Sequence, residues 1–321
     1  MKTASSTFSS SWLIKHTLLG LGIIAILTGS VLLTKSHLSS YFAPTSYGIG
    51  GLLKVKEIDL LFIGSSHTRQ SYNVALIEKK CNCKAYALAY SGMDPHLMYI
   101  YLSYLKTRND LKIKKIVFEA YSFKLIADPS LSDSRIYSEA PFELKLKLLE
   151  SISSNVPGMD FRKLFNLVVN ENNESLIAAP VANYALDLVS YKGGYKNKVT
   201  GSLSEKEFSE LHKVVSNKLK YIENDIQIQS LKKIQDLYNS TKIIFVDPPM
   251  PEPITHNAIT SKAMIRYKEI IEGMGYKYLA PWYGLERARK PSNFQDWNHL
   301  SNIGRDIFSE EIVDKLALKS F

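Results

Sequence analysis

Short apolar runs alternate with segments of helical periodicity over most of the chain, and this alternation limits the possible folds more than any other feature. The runs predicted as strands are residues 58–63, 84–90, 115–123, 242–247 and 276–280. The segments predicted as helices are residues 71–80, 95–106, 226–238, 261–273 and 302–318. Parallel strands need a long crossover connection, usually a helix, and such helices cover both faces of the sheet. The sequence therefore predicts an α/β fold, a three-layer α/β/α sandwich with a mainly parallel five-stranded sheet.

The N-terminal part of the chain differs from the rest in composition. Residues 17–34 form an uncharged run about as long as a bilayer is thick, and Lys2 and Lys15 precede it. Cleavable signal peptides usually have a shorter apolar stretch, so the run predicts an uncleaved signal anchor, a single transmembrane helix. Residues 1–16 are then expected in the cytoplasm, residues 35–54 form a linker, and residues 55–321 form one α/β domain that faces outward.

Residues 124–204 interrupt the alternation with short apolar pieces among scattered Pro, Ser and Asn. We expect an insertion that caps or lines the functional site and decides which substrate enters it. Within the insertion, residues 175–189 are apolar enough to suit a lipid-like substrate. The helical pattern resumes at Ser204, which forms a predicted capping box with Glu207.

The chain is basic, with a net charge of +9 and an isoelectric point near 9.2. Its lysines are spread along predicted amphipathic helices and accompany no nucleic-acid reading motif, so we expect solvated helix faces and no nucleic-acid partner. A basic surface beside a bilayer also favours anionic lipids or anionic envelope polymers.

Cysteine and histidine usage gives little support for a cofactor. Cys81 and Cys83 form a C-x-C pair, which fits a local disulfide or two separate thiols equally well. His67, His96 and His256 are scattered and lack carboxylate companions at ligand spacing. We therefore expect no metal and no cofactor.

The first predicted strand ends in Gly64-Ser65-Ser66, at the edge where open parallel sheets place their ligands. Gly64 allows a sharp turn, and a serine at the start of the next helix exposes its hydroxyl while the helix N-terminus favours its alkoxide. These positions favour Ser66 as a nucleophile, with Ser65 as the less favoured alternative. A serine hydroxyl is a poor nucleophile without an adjacent base.

The candidate base lies near the other end of the chain, in Asp296-Trp297-Asn298-His299, just before the last predicted helix. An Asp three residues ahead of a His can accept a hydrogen bond from imidazole Nδ1 and direct Nε2 towards a serine on a neighbouring loop. Ser66, His299 and Asp296 thus form a candidate catalytic triad. Each motif alone is common, so the prediction depends on their order and on their places in the α/β pattern.

The nucleophile turn and the histidine loop resemble two blocks of the SGNH, or GDSL-like, hydrolase superfamily. Gly64-Ser65-Ser66 takes the place of the family's Gly-Asp-Ser turn, so Ser66 matches the nucleophile. Residues 296–299 match the family's final Asp-x-x-His block. The resemblance covers residues 58–318 apart from the insertion, and it implies a serine esterase or acyltransferase that works through an acyl-serine intermediate.

The family's two other blocks concern the oxyanion. Gly92, after the second predicted strand, matches the family's oxyanion-binding glycine, which implies an oxyanion hole formed by the backbone N–H groups of Ser66 and Gly92. The third block, Gly-x-Asn-Asp, is absent, and residues 119–122 stand in its place. Arg69 or Tyr121 could supply the missing donor or contact the substrate, although a structural ion pair suits Arg69 equally well.

The departures from the family pattern, together with the anchor, are similar to a membrane-tethered subgroup whose members serve envelope polymers. Those proteins work beside membrane-bound O-acyltransferases in teichoic-acid D-alanylation and alginate acetylation. The resemblance implies acyl transfer to, or acyl removal from, an acylated envelope glycan or lipid-linked polymer, with a membrane-bound O-acyltransferase as a partner. Two alternatives remain open: a lipid or small-ester hydrolase, and a catalytically degenerate module that binds a polymer or a membrane partner.

Overall fold

The computed structural model describes residues 17–20, 22–23, 26, 30, 48–125, 136, 139–155, 202–215 and 223–316. Within these ranges, no helix is both long enough and apolar enough to cross a bilayer. The anchor predicted at residues 17–34 and the insertion predicted at residues 124–204 lie largely outside the described residues.

Five parallel strands form one sheet in the order β2-β1-β3-β4-β5. Their bounds are β1 Glu57–Gly64, β2 Ala85–Ala89, β3 Lys112–Glu119, β4 Lys242–Val246 and β5 Lys277–Leu279. In register, Ile63 of β1 lies beside Leu88 of β2 and Phe118 of β3, and Glu119 lies beside Val246 of β4. All carboxyl ends therefore lie along one edge of the sheet, the carboxyl edge. The predicted α/β fold with a parallel five-stranded sheet is confirmed.

Helices connect these strands and flank the sheet. They are α1 Gly48–Leu52, α2 Ser66–Ser71, α3 Val74–Cys81, α4 Pro95–Lys106, α5 Phe142–Asn155, α6 Glu205–Glu210, α7 His212–Val215, α8 Asp225–Leu237, α9 Glu252–Thr255, α10 Ala258–Gly273 and α11 Asn302–Lys315. Short 3-10 turns occur at Ser122–Leu125, Glu286–Arg289 and Pro291–Asn293. Helix α1 falls in the stretch predicted as a linker, yet all of its residues are buried. The capping box predicted for Ser204 and Glu207 opens α6.

Alternate side chains of the strands fill two separate apolar clusters. In β1, Leu61 and Ile63 belong to one cluster, whereas Leu60 and Phe62 belong to the other. Side chains of α1, α4, α5, α8 and α10 belong to the first cluster, and side chains of α3, α10 and α11 belong to the second. Full burial of such side chains stabilises the fold by about 1.5–3 kcal/mol each. Helices thus cover both faces, which is consistent with a three-layer sandwich.

Two predicted elements have different bounds in the structure. The strand predicted at residues 115–123 runs over Lys112–Glu119, because the chain leaves the sheet after Glu119 and forms a 3-10 turn. The helix predicted at residues 71–80 corresponds to α3, which begins at Val74 after an N-cap and is preceded by the separate short helix α2. Asn73 is that cap, and its side chain accepts a hydrogen bond from Leu76 N at 3.2 Å.

The two cysteines of the chain, Cys81 and Cys83, form a disulfide. Of the two possibilities left by the C-x-C spacing, the structure therefore has the local disulfide. It closes the turn between α3 and β2, where Asn82 takes a left-handed backbone conformation with φ 52°. This turn lies at the amino end of β2, at the opposite end of that strand from the carboxyl edge.

Candidate active site

Ser66, His299 and Asp296 meet at the carboxyl edge, although 233 residues separate the serine from the histidine. Ser66 Oγ lies 2.9 Å from His299 Nε2, and His299 Nδ1 lies 2.9 Å from Asp296 Oδ2. An ionised carboxylate only accepts hydrogen bonds, so Nδ1 carries the imidazole proton and Nε2 accepts from the Ser66 hydroxyl. The structure brings together the three residues that the sequence predicted as a triad.

The nucleophile turn owes its geometry to Ser65, the N-cap of α2. Its Oγ accepts a hydrogen bond from His67 N at 3.3 Å, which places Ser66 at the first helical position. The backbone N–H of a first helical residue has no intrahelical carbonyl to bind. Ser65 is itself buried, and its hydroxyl donates to Glu119 Oε1 at 2.6 Å. This engagement leaves Ser66, which is partly exposed, as the candidate nucleophile.

Glu119, the last residue of β3, binds residues on both sides of Ser66 in the nucleophile turn. Besides the Ser65 hydroxyl, its carboxylate accepts from Ser65 N at 2.8 Å, Thr68 N at 2.9 Å and Thr68 Oγ1 at 2.7 Å. Glu119 is only 4% exposed. Glu119 had no predicted role, although a carboxylate that ends an apolar strand at the ligand edge was a usable signal.

Gly64 is required by the close approach of this carboxylate. A Cβ at position 64 would overlap both Thr68 Oγ1 and the side chain of Glu119. The absence of a side chain at Gly64 therefore leaves room for the Glu119 carboxylate to bind the nucleophile turn. Gly64 was predicted to allow a sharp turn, and the structure adds this steric reason.

The histidine loop is closed by its own aspartate. Asp296 Oδ1 accepts from Asn298 N and His299 N, both at 2.9 Å, and Phe294 and Leu300 form an antiparallel bridge across the loop. Burial acts to raise the pKa of Asp296, but the hydrogen bond and charge of His299 and the two backbone N–H groups outweigh it, so the pKa is lowered. The carboxylate thus stays ionised opposite His299.

Helix α11 fixes the histidine loop relative to Ser66. Ser301 caps α11 directly after the loop, and its Oγ accepts from Gly304 N at 3.1 Å. Asn73, between α2 and α3, donates its backbone N–H to Ser309 Oγ at 2.7 Å and its side-chain amide to Asp306 Oδ1 at 2.8 Å. These contacts join α11 to the segment between α2 and α3. They explain how His299, just before α11, comes to lie beside Ser66 at the start of α2.

The turn that carries Gly92 follows β2, and Gly92 has a φ of 74°, a conformation that favours glycine. Arg69 Nη2 donates to Ser91 Oγ at 3.0 Å, and Lys124 Nζ donates to Gly92 O at 2.9 Å. Arg69, predicted as a possible substrate contact, is buried and binds this turn. Lys124 was not predicted to have a role. Burial lowers its pKa, although two nearby carboxylates act in the opposite direction.

Tyr121, the other possible substrate contact, lies in the interior. Its ring centroid is 4.0 Å from that of His67, and the His67 ring lies 4.9 Å from that of His299. Burial raises the pKa of Tyr121, although hydrogen bonding with Asn298 acts the other way. Tyr121 therefore packs against His67 inside the protein, and its hydrogen bond with Asn298 links the segment after β3 to the histidine loop.

Asp247, which follows β4 at the carboxyl edge, is a buried carboxyl group. Its Oδ2 accepts from the Tyr278 hydroxyl at 2.7 Å. Burial raises the pKa of Asp247 to about 8, against the lowering effect of the Tyr278 hydrogen bond, and the charge of Glu119 adds to the rise. The folded protein therefore keeps this carboxyl group protonated at pH values where the unfolded chain has lost the proton.

Because the folded-state pKa of Asp247 exceeds its unfolded value of 3.8, wild-type stability should fall as the pH rises from about 4 to about 8. Asp247→Asn should remove this loss. We expect its unfolding free energy to match that of wild type near pH 4. Between about pH 4 and about pH 8 the difference should grow by up to about 1.4 kcal/mol for each pH unit. Urea denaturation at several pH values measures the difference. Asp236→Asn, at an exposed position, is the control, and a pH-independent difference for Asp247→Asn would contradict the prediction.

The fold and the site together define an α/β protein with a Ser-His-Asp arrangement at the carboxyl edge of its sheet. No protein-family model matches the chain, and no curated protein matches it. Among solved structures, one match is a Streptococcus pneumonia protein whose description names platelet activating factor. It is 12% identical, with a TM-score of 0.37, and the match covers 92% of this chain and 99% of that chain. Similarity at this level supports no conclusion about the present chain.

Proposed function

We propose that the chain is a serine esterase or acyltransferase of the SGNH type, with Ser66 as nucleophile, His299 as general base and Asp296 as the group that orients the base. The unbroken chain of hydrogen bonds from Ser66 Oγ through His299 to Asp296 carries this proposal. Nucleophilic catalysis by serine requires such a chain, whereas a module that only binds a polymer does not.

In the proposed reaction, Ser66 Oγ attacks an ester carbonyl carbon while His299 Nε2 takes the hydroxyl proton. The backbone N–H groups of Ser66 and Gly92 hold the resulting oxyanion. When the tetrahedral intermediate collapses, the alcohol leaves with the proton from His299, and acyl-Ser66 remains. Water or a glycan hydroxyl then attacks the acyl carbonyl carbon while His299 takes its proton. The bond between the acyl group and Ser66 Oγ breaks, and His299 returns the proton to Ser66 Oγ.

Lys124 is the residue that we propose in place of the family's missing third block. It lies two residues after residues 119–122, which stand in the place of that block, and its ammonium group lies 2.9 Å from Gly92 O. The turn that carries Ser91 and Gly92 is the proposed oxyanion turn, and a positive charge beside it favours the negative charge that develops in the transition state. Arg69 and Tyr121 are less suitable because both are buried and bound to other groups.

The proposed substrate is an acylated envelope glycan or lipid-linked polymer, and the proposed location is the outer face of the membrane, with residues 17–34 as anchor. A membrane-bound O-acyltransferase is the proposed partner. Two observations support this placement. The Cys81–Cys83 disulfide is typical of oxidising compartments. The net charge of +9 favours an anionic polymer or membrane surface.

The first test is labelling of the full-length chain, purified in detergent, with a fluorophosphonate probe whose fluoride is displaced by an activated serine oxygen. We expect the native protein to be labelled at Ser66, as identified by peptide mass spectrometry, and the heat-unfolded protein to remain unlabelled. A folded protein that is not labelled, or is labelled at another serine, would overturn the proposal and favour the binding module.

A second measurement separates transfer from hydrolysis. p-Nitrophenyl acetate serves as acyl donor, with and without a chito-oligosaccharide as hydroxyl acceptor. An O-acetylated oligosaccharide, detected by mass spectrometry, supports acyl transfer. Acetate as the product in both conditions supports an esterase.

A further inference from the structure

His67 lies between the candidate base and the interior of the protein. Its ring is nearly parallel to that of His299, with 22° between the ring planes and 4.9 Å between the centroids. The ring of Tyr121 also packs against His67, with 4.0 Å between the centroids and 39° between the planes. His67 thus contacts both the Tyr121 ring and the His299 ring, and it is only 3% exposed.

The hydrogen bonds around His67 determine which of its ring nitrogens carries a proton. The Ser65 hydroxyl has one hydrogen, which it donates to Glu119 Oε1 at 2.6 Å. Ser65 Oγ therefore accepts the hydrogen bond that joins it to His67 Nδ1 at 3.0 Å, and Nδ1 is the protonated nitrogen. Through Ser65, Glu119 holds the His67 ring in one tautomer and one orientation.

His67 also remains uncharged beside its neighbour. Burial, and then the charges of His299 and Lys124, hold the pKa of His67 well below its usual range. When His299 accepts the proton of Ser66 and becomes a cation, the ring beneath it is therefore neutral. The faces of neutral aromatic rings attract cations that lie within about 6 Å of the ring centre.

We infer that His67 is a positioning residue, which holds the His299 ring in line with Ser66 Oγ and stabilises the imidazolium formed during the reaction by presenting a neutral aromatic face to it. This inference rests on the proposed function, because it concerns the protonated state of the proposed base. It also gives a reason why this chain has Ser65 at the position where the SGNH superfamily, which the turn resembles, has an aspartate. An aspartate there would place a second carboxylate against Glu119, whereas serine donates to Glu119 and accepts from His67.

The test compares His67→Phe with His67→Leu in the full-length chain. Both variants lose the Nδ1 hydrogen bond, but only Phe keeps an aromatic face. The measurement is the rate of fluorophosphonate labelling between about pH 5 and pH 9, a range that spans the usual pKa of histidine. We expect His67→Phe to stay within about threefold of wild type and His67→Leu to be about tenfold slower. In His67→Leu the midpoint of the pH profile should move down by about half a pH unit, because protonated His299 loses stabilisation.

The inference would be overturned if His67→Phe and His67→Leu were labelled at the same rate, whether both were as fast as wild type or both were equally slow. Equal midpoints of their pH profiles would overturn it as well. If His67→Leu fails to fold in a thermal melt, His67→Gln replaces it, since Gln can still donate to Ser65 but has no ring, and the same slowing is expected. A wild-type protein that is not labelled would instead refute the proposed function, so the two failures are distinguishable.

Discussion

Ser66→Ala should lower the kcat/KM for p-nitrophenyl acetate by about four to six decades and abolish fluorophosphonate labelling, without a change in the melting temperature. The nucleophilic oxygen is lost, but the backbone N–H groups of the oxyanion turn remain. Ser66 is partly exposed and its hydroxyl contacts His299, so its removal leaves no buried polar group of the core without a partner.

The double variant Ser66→Ala/His299→Ala sharpens this prediction. In the proposed mechanism Ser66 and His299 act as one unit, so the double variant should be about as slow as either single variant. Ser103→Ala, on the outward side of α4, is the matched control and should keep wild-type activity. Additive losses in the double variant, or substantial activity in Ser66→Ala, would show that Ser66 and His299 do not act together on the substrate.

Glu119→Ala should lower the free energy of unfolding by about 3–5 kcal/mol and also remove most of the labelling at Ser66. The carboxylate accepts four hydrogen bonds, two from Ser65 and two from Thr68, all of them in the interior. Without it those donors are buried and unpaired, and the turn that carries Ser66 loses its support. Urea denaturation gives the stability, and the labelling rate reports the site.

Glu119→Gln provides the comparison for this prediction, because it keeps one acceptor oxygen and the same shape. We expect it to lose less stability than Glu119→Ala, about 1–3 kcal/mol. Gly64→Ala should resemble Glu119→Ala in its effect on labelling, since the added Cβ displaces the same carboxylate. If Glu119→Ala unfolds at the wild-type urea concentration and is labelled at the wild-type rate, Glu119 does not hold the nucleophile turn.

Local patterns in the sequence were sufficient to predict most elements of the fold. Apolar runs that end in Gly or Pro marked the strands, because buried parallel strands are apolar on both faces and sharp turns need those residues. The prediction was less accurate where a side chain decides the boundary. Asn73 caps α3, so that helix begins at Val74, three residues later than predicted, and β3 ends at Glu119, before the 3-10 turn at Ser122–Leu125.

The candidate triad was also predictable, since its residues lie in short motifs at the ends of the α/β pattern. The roles of the neighbouring residues were not. Arg69 and Tyr121 have polar groups suited to a substrate, but the fold buries both of them. Lys124 and Glu119 lie beside the oxyanion turn and the nucleophile turn, and no local motif distinguishes them.

The sequence by itself determined the five strands, most of the helices that connect them, and the serine pair, histidine and aspartate that could form a triad, because these properties depend on residue type and on spacing of a few positions. The sequence favoured Ser66 and left Ser65 open; the choice between them came from the structure, in which Ser65 is buried and donates to Glu119. Only the tertiary structure decided which side chains support the candidate triad. The order of strands brings β3 beside β1, so that Glu119 reaches the nucleophile turn, and the packing of α11 on α3 carries His299 across 233 residues to Ser66. Such contacts depend on how distant elements pack, and local spacing does not encode them.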